Sequence, residues 1–183
     1  MSRIHPISPE NAQGKSAELF AAVKSKLGMV PNMMRAIGNS PAVLGAYLQF
    51  SGGLASGTLS NQQRELIALT VGEANRCDYC LAAHSALGQM AGLDADQIRD
   101  ARHGSAVDAK SDALIRFARK LVDERGHVSG DDLQELRGHG FTEGEIAEVV
   151  ANVALNLFTN YFNHVADPDI DFPKADPLAC RVA

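Results

Sequence analysis

Apolar residues recur along this chain every three to four positions, which is the period of an amphipathic helix. The strict alternation of apolar and polar residues that is typical of strands is absent, and aromatic residues make up only 5% of the sequence. We therefore predict an all-α fold. The predicted helices cover residues 16–28, 30–41, 41–54, 59–75, 77–92, 94–104, 111–126, 129–140 and 142–166.

Local signals support several of these helices. Pro41 is suited to the first position of the third helix. Ser60 and Gln63 form the pattern of a capping box at the start of the fourth. Residues 66–71 of that helix carry no charge, and a helix that is apolar on all sides is buried on most of them. The fourth helix is therefore expected at the centre of the fold.

The chain length of 183 residues fits one domain with a substantial core. No low-complexity block or linker divides it, so we predict a single all-α domain over residues 1–183, with its core at about 8–166. The tail over residues 167–183 contains four acidic residues and three prolines. It cannot continue the last helix, and it is expected to lie along the surface or to reach a neighbouring subunit.

Charge and hydropathy argue against several kinds of partner and indicate a location. The net charge is -5 and the basic residues are scattered, so neither nucleic acid nor an anionic membrane surface is an expected partner. The N-terminus has no apolar run of the signal-peptide type, and the apolar run at 146–158 is too short and too polar to span a bilayer. We predict a cytoplasmic protein, where cysteines stay reduced unless they do chemistry. Cys180 is expected to lie at the surface and to take no part in the chemistry.

The stretch with the most chemical information is "EANRCDYCLAAH", residues 73–84. Asn75 and Arg76 look like a turn between two helices, which puts Cys77 and Cys80 in the first turn of a new helix. Cys77, Cys80 and His84 then fall on one helical face. Free N–H groups and the positive end of the helix dipole favour the thiolate there.

His84 lies one turn beyond Cys80, where it can accept a proton from the thiol and return one to a leaving group. Such a base usually needs an orienting partner. Glu65, near the start of the preceding apolar helix, is the candidate, because antiparallel packing of the two helices would bring it towards His84.

Other interpretations of the same residues are weaker. A zinc site would need a fourth ligand, and there is no second CxxC or HxxxH pattern. Haem attachment needs a histidine directly after the second cysteine, where Leu81 stands. A thioredoxin-like domain needs strands. Two buried cysteines beside a hydrogen-bonded histidine remain the purely structural alternative.

The stretch "RELIALTVGEANRCDYCLAAH" (64–84) resembles the alkylhydroperoxidase D family of the carboxymuconolactone decarboxylase-like superfamily. That family's pattern of Glu, then CxxC twelve residues later, then His is matched in full by Glu65, Cys77, Cys80 and His84. The flanking stretches "VPNMMRAIGNSPAVL" and "FNHVADPDIDFP" resemble its peroxidase-related subgroup. The likeness covers roughly residues 8–173.

The resemblance implies a helical bundle of the alkylhydroperoxidase D-like type and thiol-dependent reduction of hydroperoxides. It implies that Cys80 attacks the peroxide, that Cys77 closes the disulfide, and that Glu65 and His84 relay the proton. A sulfenic acid beside a second thiol condenses readily, which agrees with this order. From the residues alone, which cysteine attacks first stays open.

The resemblance also implies partners. No metal or organic cofactor is needed, but an external dithiol, of the lipoyl or thioredoxin-like type, must reopen the disulfide. Family members form homo-oligomers built from trimers or dimers, and a trimer or hexamer is expected here. The apolar helices favour organic hydroperoxides as substrates.

Three further residues are possible pocket residues. Some members of the family carry a histidine between the cysteines where this chain has Tyr79, whose hydroxyl could donate a hydrogen bond to a peroxide. Asn160 and His164 could line the pocket from the last helix. Glu145 and His164 have the same nineteen-residue spacing as Glu65 and His84, which raises the hypothesis of a degenerate repeat, although Glu145 also completes a capping box.

Two other function classes remain open. A redox sensor or thiol–disulfide exchange protein would change shape or oligomeric state without useful peroxidase turnover. A lyase or isomerase of the carboxymuconolactone decarboxylase type would use Glu65 and His84 as acid and base and keep its activity in a Cys80→Ser variant.

Overall fold

Helices make up the whole regular structure of residues 2–178, the part of the chain that the computed structural model describes. The described part contains no strand, so the all-α prediction is confirmed. The helices are α1 (Gly14–Leu27), α2 (Asn32–Ile37), α3 (Pro41–Ala55), α4 (Asn61–Ala74), α5 (Asp78–Met90), α6 (Ala95–Arg102), α7 (Ala109–Asp123), α8 (Gly130–Gly138) and α9 (Glu143–Ala166). A 3-10 turn at Pro9–Asn11 was not predicted. Cys180 lies outside the described residues.

The predicted helix signals act as expected. Pro41 occupies the first turn of α3. Ser60 and Gln63 form a reciprocal capping box at the start of α4. Gly28 ends α1 with a φ of 76°, a left-handed conformation that glycine adopts without a steric penalty. These local interactions fix helix ends before any tertiary contact is needed.

Helix α4 lies at the centre of the bundle, as its uncharged sequence predicts. Every residue from Leu66 to Gly72 is buried. One side of α4 contributes Ile67 and Val71 to a core shared with α7, α8 and α9. The other side contributes Leu66 and Leu69 to a core shared with α6 and α7. One compact domain results, because both cores share the same helix.

A third core holds the cysteine motif. It combines residues of α1 to α3, such as Phe20, Met33 and Leu44, with Cys77 and Cys80 at the start of α5. Each half of the polypeptide therefore supplies part of the motif's surroundings, since α9 packs against both α4 and α5.

The C-terminal tail runs back over this third core. Ile170 and Phe172 pack against it, and the Asp171 carboxylate accepts hydrogen bonds from the backbone N–H of Asn32 at 2.7 Å and from the Tyr79 hydroxyl at 2.7 Å. No helix among residues 2–178 is long and apolar enough to cross a membrane.

Candidate active site

The two cysteines of the motif lie where α5 begins. Arg76 adopts a φ of 55° and turns the chain after α4. Cys77 is the N-cap residue of α5, and its Sγ accepts a hydrogen bond from the backbone N–H of Cys80 at 3.3 Å. The two side chains form a disulfide. Both residues are buried, at 2% and 3% exposure, so any reagent must reach the sulfur atoms through a cavity.

Side-chain amides from α9 surround the sulfur of Cys80. Asn160 Nδ2 lies 3.0 Å and Asn163 Nδ2 3.2 Å from Cys80 Sγ. The orientation of Asn160 is fixed because its Oδ1 accepts from Asn75 Nδ2, which in turn donates to the carbonyl of Val71. Two N–H donors directed at one sulfur stabilise its thiolate over its thiol.

The predicted acid–base pair is in contact. Nδ1 of His84 lies 2.8 Å from Glu65 Oε2, joining α5 to α4. The two side chains are 22% and 18% exposed. With Nδ1 held by the carboxylate, the other ring nitrogen of His84 is the one available to a substrate.

Three cavities surround these groups, and we name each by one lining residue. The Cys80 cavity, of about 300 Å³, is walled by Cys80, His84 and apolar side chains that include Met33, Leu87 and Phe172. The Glu65 cavity, of about 340 Å³, adjoins it at His84 and contains Glu65. Proton exchange at His84 is therefore possible on the same side as the Cys80 sulfur.

A third cavity is lined by Cys77 and not by Cys80. The Cys77 cavity, of about 330 Å³, is lined by Cys77 and by polar and charged side chains: Arg3, Arg76, Asp78, Asn163, His164 and Asp167, with Tyr79, Pro168 and Ile170. Neither His84 nor Cys80 lines it. The two cysteines thus line cavities of different chemistry, and Tyr79 and Asn163 line both.

The predicted pocket residues occupy three different positions. The ring of Tyr79 lines the Cys80 cavity, but its hydroxyl is committed to Asp171 and to the Met33 N–H. Burial raises the pKa of Tyr79, so it is a neutral donor to the tail. Asn160 is fully buried behind the sulfur. His164 lines the Cys77 cavity, where its Nε2 lies 2.9 Å from the carbonyl of Asn75.

The hypothesis of a degenerate repeat is wrong. Glu145 and His164 belong to one continuous helix, α9, and nineteen residues of helix separate them by roughly 28 Å. Glu145 instead accepts from the N–H and hydroxyl of Thr142 in the predicted capping box. A turn between two helices is what brings Glu65 and His84 together.

Two residues at the site were not predicted. Asn163 lies three positions after Asn160 on the buried face of α9, and polar residues at helical spacing in an apolar helix were the available signal. Tyr47 on α3 lines both the Cys80 and Glu65 cavities. Burial, with the negative charge of Glu65, raises its pKa to about 12, so it is a neutral phenol at physiological pH. No signal in the sequence marked Tyr47.

The structure offers no alternative metal site in the part of the chain it describes. No group of three or more His, Cys, Asp or Glu side chains is placed there to hold a metal ion.

The motif lies within a region that resembles known proteins. Residues 41–124 match the model of the carboxymuconolactone decarboxylase family. Over 93 residues the chain is 26% identical to an alkyl hydroperoxide reductase of Mycobacterium tuberculosis, a match that covers 50% of this chain and 27% of that protein. The chain thus matches little more than a quarter of that relative's length.

Two solved structures show the same fold. One, from Ralstonia eutropha JMP134, is described as an alkylhydroperoxidase AhpD core and a peroxidase-related protein. It has a TM-score of 0.81 and 24% identity, covering 94% of this chain and 92% of that one. The other, the debrominase Bmp8 with 2,3,4-tribromopyrrole, has a TM-score of 0.80 and 18% identity, covering 93% and 92%. The predicted family resemblance and fold type are confirmed.

Proposed function

We propose, from this chain's likeness to the carboxymuconolactone decarboxylase family and its alkylhydroperoxidase D-like members, that it is a thiol-dependent peroxidase for organic hydroperoxides. One observation carries the proposal. Cys80 lines a cavity with His84, and its sulfur is bonded to Cys77 in a disulfide. This arrangement supports the proposal because it would bring substrate, nucleophile, proton donor and resolving thiol together.

The oxidative step follows from these positions. The Cys80 thiolate attacks the outer oxygen of a hydroperoxide, the O–O bond breaks, and the sulfur becomes a sulfenic acid. His84, which Glu65 orients, has taken the proton of the Cys80 thiol and gives it to the departing alkoxide. Cys77 then attacks the sulfenic sulfur, water leaves, and the disulfide forms. Two electrons have passed from the dithiol to the peroxide, and no cofactor takes part.

The apolar lining selects the substrate class. Methionine, leucine and aromatic side chains dominate the Cys80 cavity. An organic hydroperoxide binds there more favourably than hydrogen peroxide, because its apolar groups are removed from water on binding. An external dithiol then returns the protein to its reduced form. A cytoplasmic location, where such dithiols are maintained, belongs to this proposal.

A thiol titration tests the proposal. The reduced protein has three cysteines, and one equivalent of cumene hydroperoxide should lower the titratable thiols under denaturing conditions from three to one. Cys180→Ser is the matched control, because it should lower both counts by one and leave the loss of two thiols intact. Cys80→Ser should abolish the loss. No loss in the wild-type protein would refute a peroxidase.

Two further outcomes distinguish a peroxidase from a redox sensor and from a lyase or isomerase. Loss of thiols without catalytic turnover under excess dithiothreitol would identify a redox sensor instead. An acid–base reaction on a carboxylic acid that survives Cys80→Ser would identify a lyase or isomerase.

A second candidate is reductive dehalogenation of a small aromatic ring. The debrominase shares the fold, and Tyr47, Tyr79 and Phe172 give the Cys80 cavity an aromatic lining suited to a flat ring. The dithiol would supply two electrons, giving arene, bromide and the disulfide. Bromide release from tribromopyrrole, compared with alcohol formation from cumene hydroperoxide in the same assay, decides between the two substrates.

We also propose that the chain forms a homo-oligomer, a trimer or hexamer, as the family resemblance implies. Helix α9 exposes four apolar side chains on its outer face, at successive separations of eight, three and four residues: Val150, Phe158, Tyr161 and Val165, between 38% and 62% exposed. A second copy of the chain would bury this row. Light scattering on the purified protein gives the mass, and a monomer at micromolar concentration would contradict the proposal.

A further inference from the structure

The two cysteines of the disulfide line two cavities that differ in polarity. Cys80 lines the apolar Cys80 cavity with His84, whereas Cys77 lines the polar Cys77 cavity, and Tyr79 and Asn163 line both. Both sulfur atoms are otherwise buried. A reagent that enters one cavity therefore meets one sulfur, and its entrance decides which atom it attacks.

The direction of attack on a disulfide is constrained. Thiol–disulfide exchange is an in-line displacement, so the incoming thiolate approaches one sulfur from the side opposite the other. Exchange is faster when the departing sulfur is the better leaving group, which is the one of lower pKa. Cys80 Sγ has amide donors at 3.0 and 3.2 Å, whereas Cys77 Sγ has the Cys80 backbone N–H at 3.3 Å and Asn163 Nδ2 only at 3.9 Å. Cys80 is thus the preferred leaving group and Cys77 the preferred target.

The Cys77 cavity also holds a base. Nε2 of His164 lies 2.9 Å from the Asn75 carbonyl, an acceptor to which only a protonated nitrogen can donate. Neutral His164 therefore carries its proton on Nε2, which leaves the lone pair on Nδ1 available. A thiol entering this cavity can lose its proton to Nδ1.

We propose that the disulfide is reduced from the Cys77 side, through an entrance separate from that of the substrate. A reductant thiol enters the Cys77 cavity and gives its proton to His164. Its thiolate attacks Cys77 Sγ, a mixed disulfide forms on Cys77, and Cys80 leaves as a thiolate held by Asn160 and Asn163. The second thiol of the reductant then attacks the reductant sulfur of the mixed disulfide, which closes the reductant's own disulfide and frees Cys77.

The size and the lining of the Cys77 cavity indicate which kind of reductant can reach Cys77. Cys77 is 2% exposed and lines a cavity of about 330 Å³, so a reductant must enter that cavity to reach it. A slender dithiol arm can enter such a cavity, whereas a dithiol fixed on a protein surface cannot. The rim carries both signs of charge, Arg3 and Arg76 with Asp78 and Asp167, so a strongly charged arm is not selected.

Peptide mapping of the wild-type protein tests the direction of attack. The disulfide is prepared with diamide, exposed briefly to the monothiol 2-mercaptoethanol, and quenched with N-ethylmaleimide. Fragmentation mass spectrometry should find the monothiol on Cys77 and the maleimide on Cys80. The reverse placement would overturn the proposal. Although the inference rests on the proposed dithiol cycle, this experiment uses no peroxide, so its failure is distinct from failure of the peroxidase proposal.

A pair of tryptophan substitutions on α5 tests the separate entrances. Asp78→Trp narrows the Cys77 cavity and Ala86→Trp the Cys80 cavity, because each residue lines one of them. By stopped flow, Asp78→Trp should slow reduction by dithiothreitol about fivefold or more while cumene hydroperoxide oxidation changes less than about twofold, and Ala86→Trp should do the opposite. Val107→Trp, at an exposed loop position, controls for the added ring. Equal slowing of both half-reactions by either cavity variant would refute separate entrances.

The pH dependence of a His164 variant tests the role of His164 as a base. His164→Gln keeps an N–H donor for Asn75 but removes the base, so reduction by dithiothreitol at neutral pH should slow roughly tenfold. The deficit should vanish above pH of about 9, where the reductant thiol ionises unaided. A deficit that persists at alkaline pH would show a structural role and refute the base.

Discussion

The chemistry of the site depends on single polar side chains placed in an apolar core. Asn163 is one of them, since its Nδ2 lies 3.2 Å from Cys80 Sγ and 3.4 Å from Met33 Sδ, while its Oδ1 is buried without a partner. A buried polar group without a partner is destabilising. A role at the Cys80 sulfur, which accepts the N–H of Asn163, explains why an amide occupies this position.

We predict that Asn163→Leu makes Cys80 less reactive. Loss of one hydrogen bond to a charged sulfur removes about 1.5 kcal/mol of thiolate stabilisation, which is about one pKa unit. The alkylation of Cys80 by iodoacetamide, followed against pH in a Cys77→Ser background, should show the raised thiol pKa. Asn163→Asp should raise it further, because a carboxylate repels the thiolate. A purely structural role would give no such order.

We predict that Glu65→Gln separates proton transfer from nucleophilicity. Glutamine can still contact His84 Nδ1, but it lacks the charge that stabilises the protonated ring. Reduction of cumene hydroperoxide, which needs a proton for the alkoxide, should slow at least about tenfold. Iodoacetamide alkylation of Cys80 needs no proton donor and should change less than about threefold. If alkylation falls as much as peroxide cleavage, Glu65 acts on the thiol and not in a relay.

At the scale of helices, the sequence was sufficient to predict most of the fold. The predicted helix α9 spans 142–166 and the observed one Glu143–Ala166, because a capping box and a continuous buried stripe define it locally. The predicted α2 at 30–41 is shorter, at Asn32–Ile37, where flanking prolines were a weaker signal. The Glu65–His84 contact followed from packing two adjacent helices. Contacts of Cys80 with Asn160 and Asn163 join residues 80 and 83 positions apart, and such pairings depend on the tertiary fold.

Glu148 of α9 links that helix to the start of α4. Its carboxylate accepts from the backbone N–H of Thr58 at 2.8 Å and of Leu59 at 2.9 Å. These bonds, with Leu59 contributing most, lower the pKa of Glu148 below its ordinary value of 4.5. A carboxyl whose pKa is lower in the folded protein adds stability above its unfolded pKa and loses that stability as the pH falls through the folded pKa.

We therefore predict a pH-dependent cost for Glu148→Gln. The free energy of unfolding should fall by about 1 kcal/mol at pH 7, a value reduced for the partial exposure of the carboxylate. Urea unfolding should show the difference between the two proteins intact above about pH 5 and shrinking below about pH 4. If the difference in stability between the two proteins does not change with pH, the charge of Glu148 is not what holds Thr58 and Leu59 in place.

At the scale of the whole molecule, the chain ends complete the site. The tail was expected to lie along the surface or to reach a neighbouring subunit. Its described part, residues 167–178, lies along the surface of its own chain, across the motif. Phe172 packs edge-on against Tyr79 with ring centroids 5.9 Å apart and forms part of the wall of the Cys80 cavity. Arg3 and Asp167 stand together at the rim of the Cys77 cavity, 3.7 Å apart. Both cavities are thus bounded by segments that the motif itself does not contain.

Asp171 is the residue that attaches the tail, because one carboxylate holds both α2 and α5 through Asn32 and Tyr79. We predict that Asp171→Ala releases the tail and lowers the free energy of unfolding by about 2 kcal/mol, which is a fall in Tm of roughly 4–8 °C for a domain of this size. The Cys80 cavity should then open to solvent, so that the bulky reagent 5,5′-dithiobis(2-nitrobenzoate) modifies Cys80 several-fold faster in the reduced protein. Asp171→Asn is the matched control, since its side-chain oxygen can still accept one of the two bonds and should give an intermediate change. If Asp171→Ala lowers stability without exposing Cys80, the tail stabilises the fold but does not close the cavity.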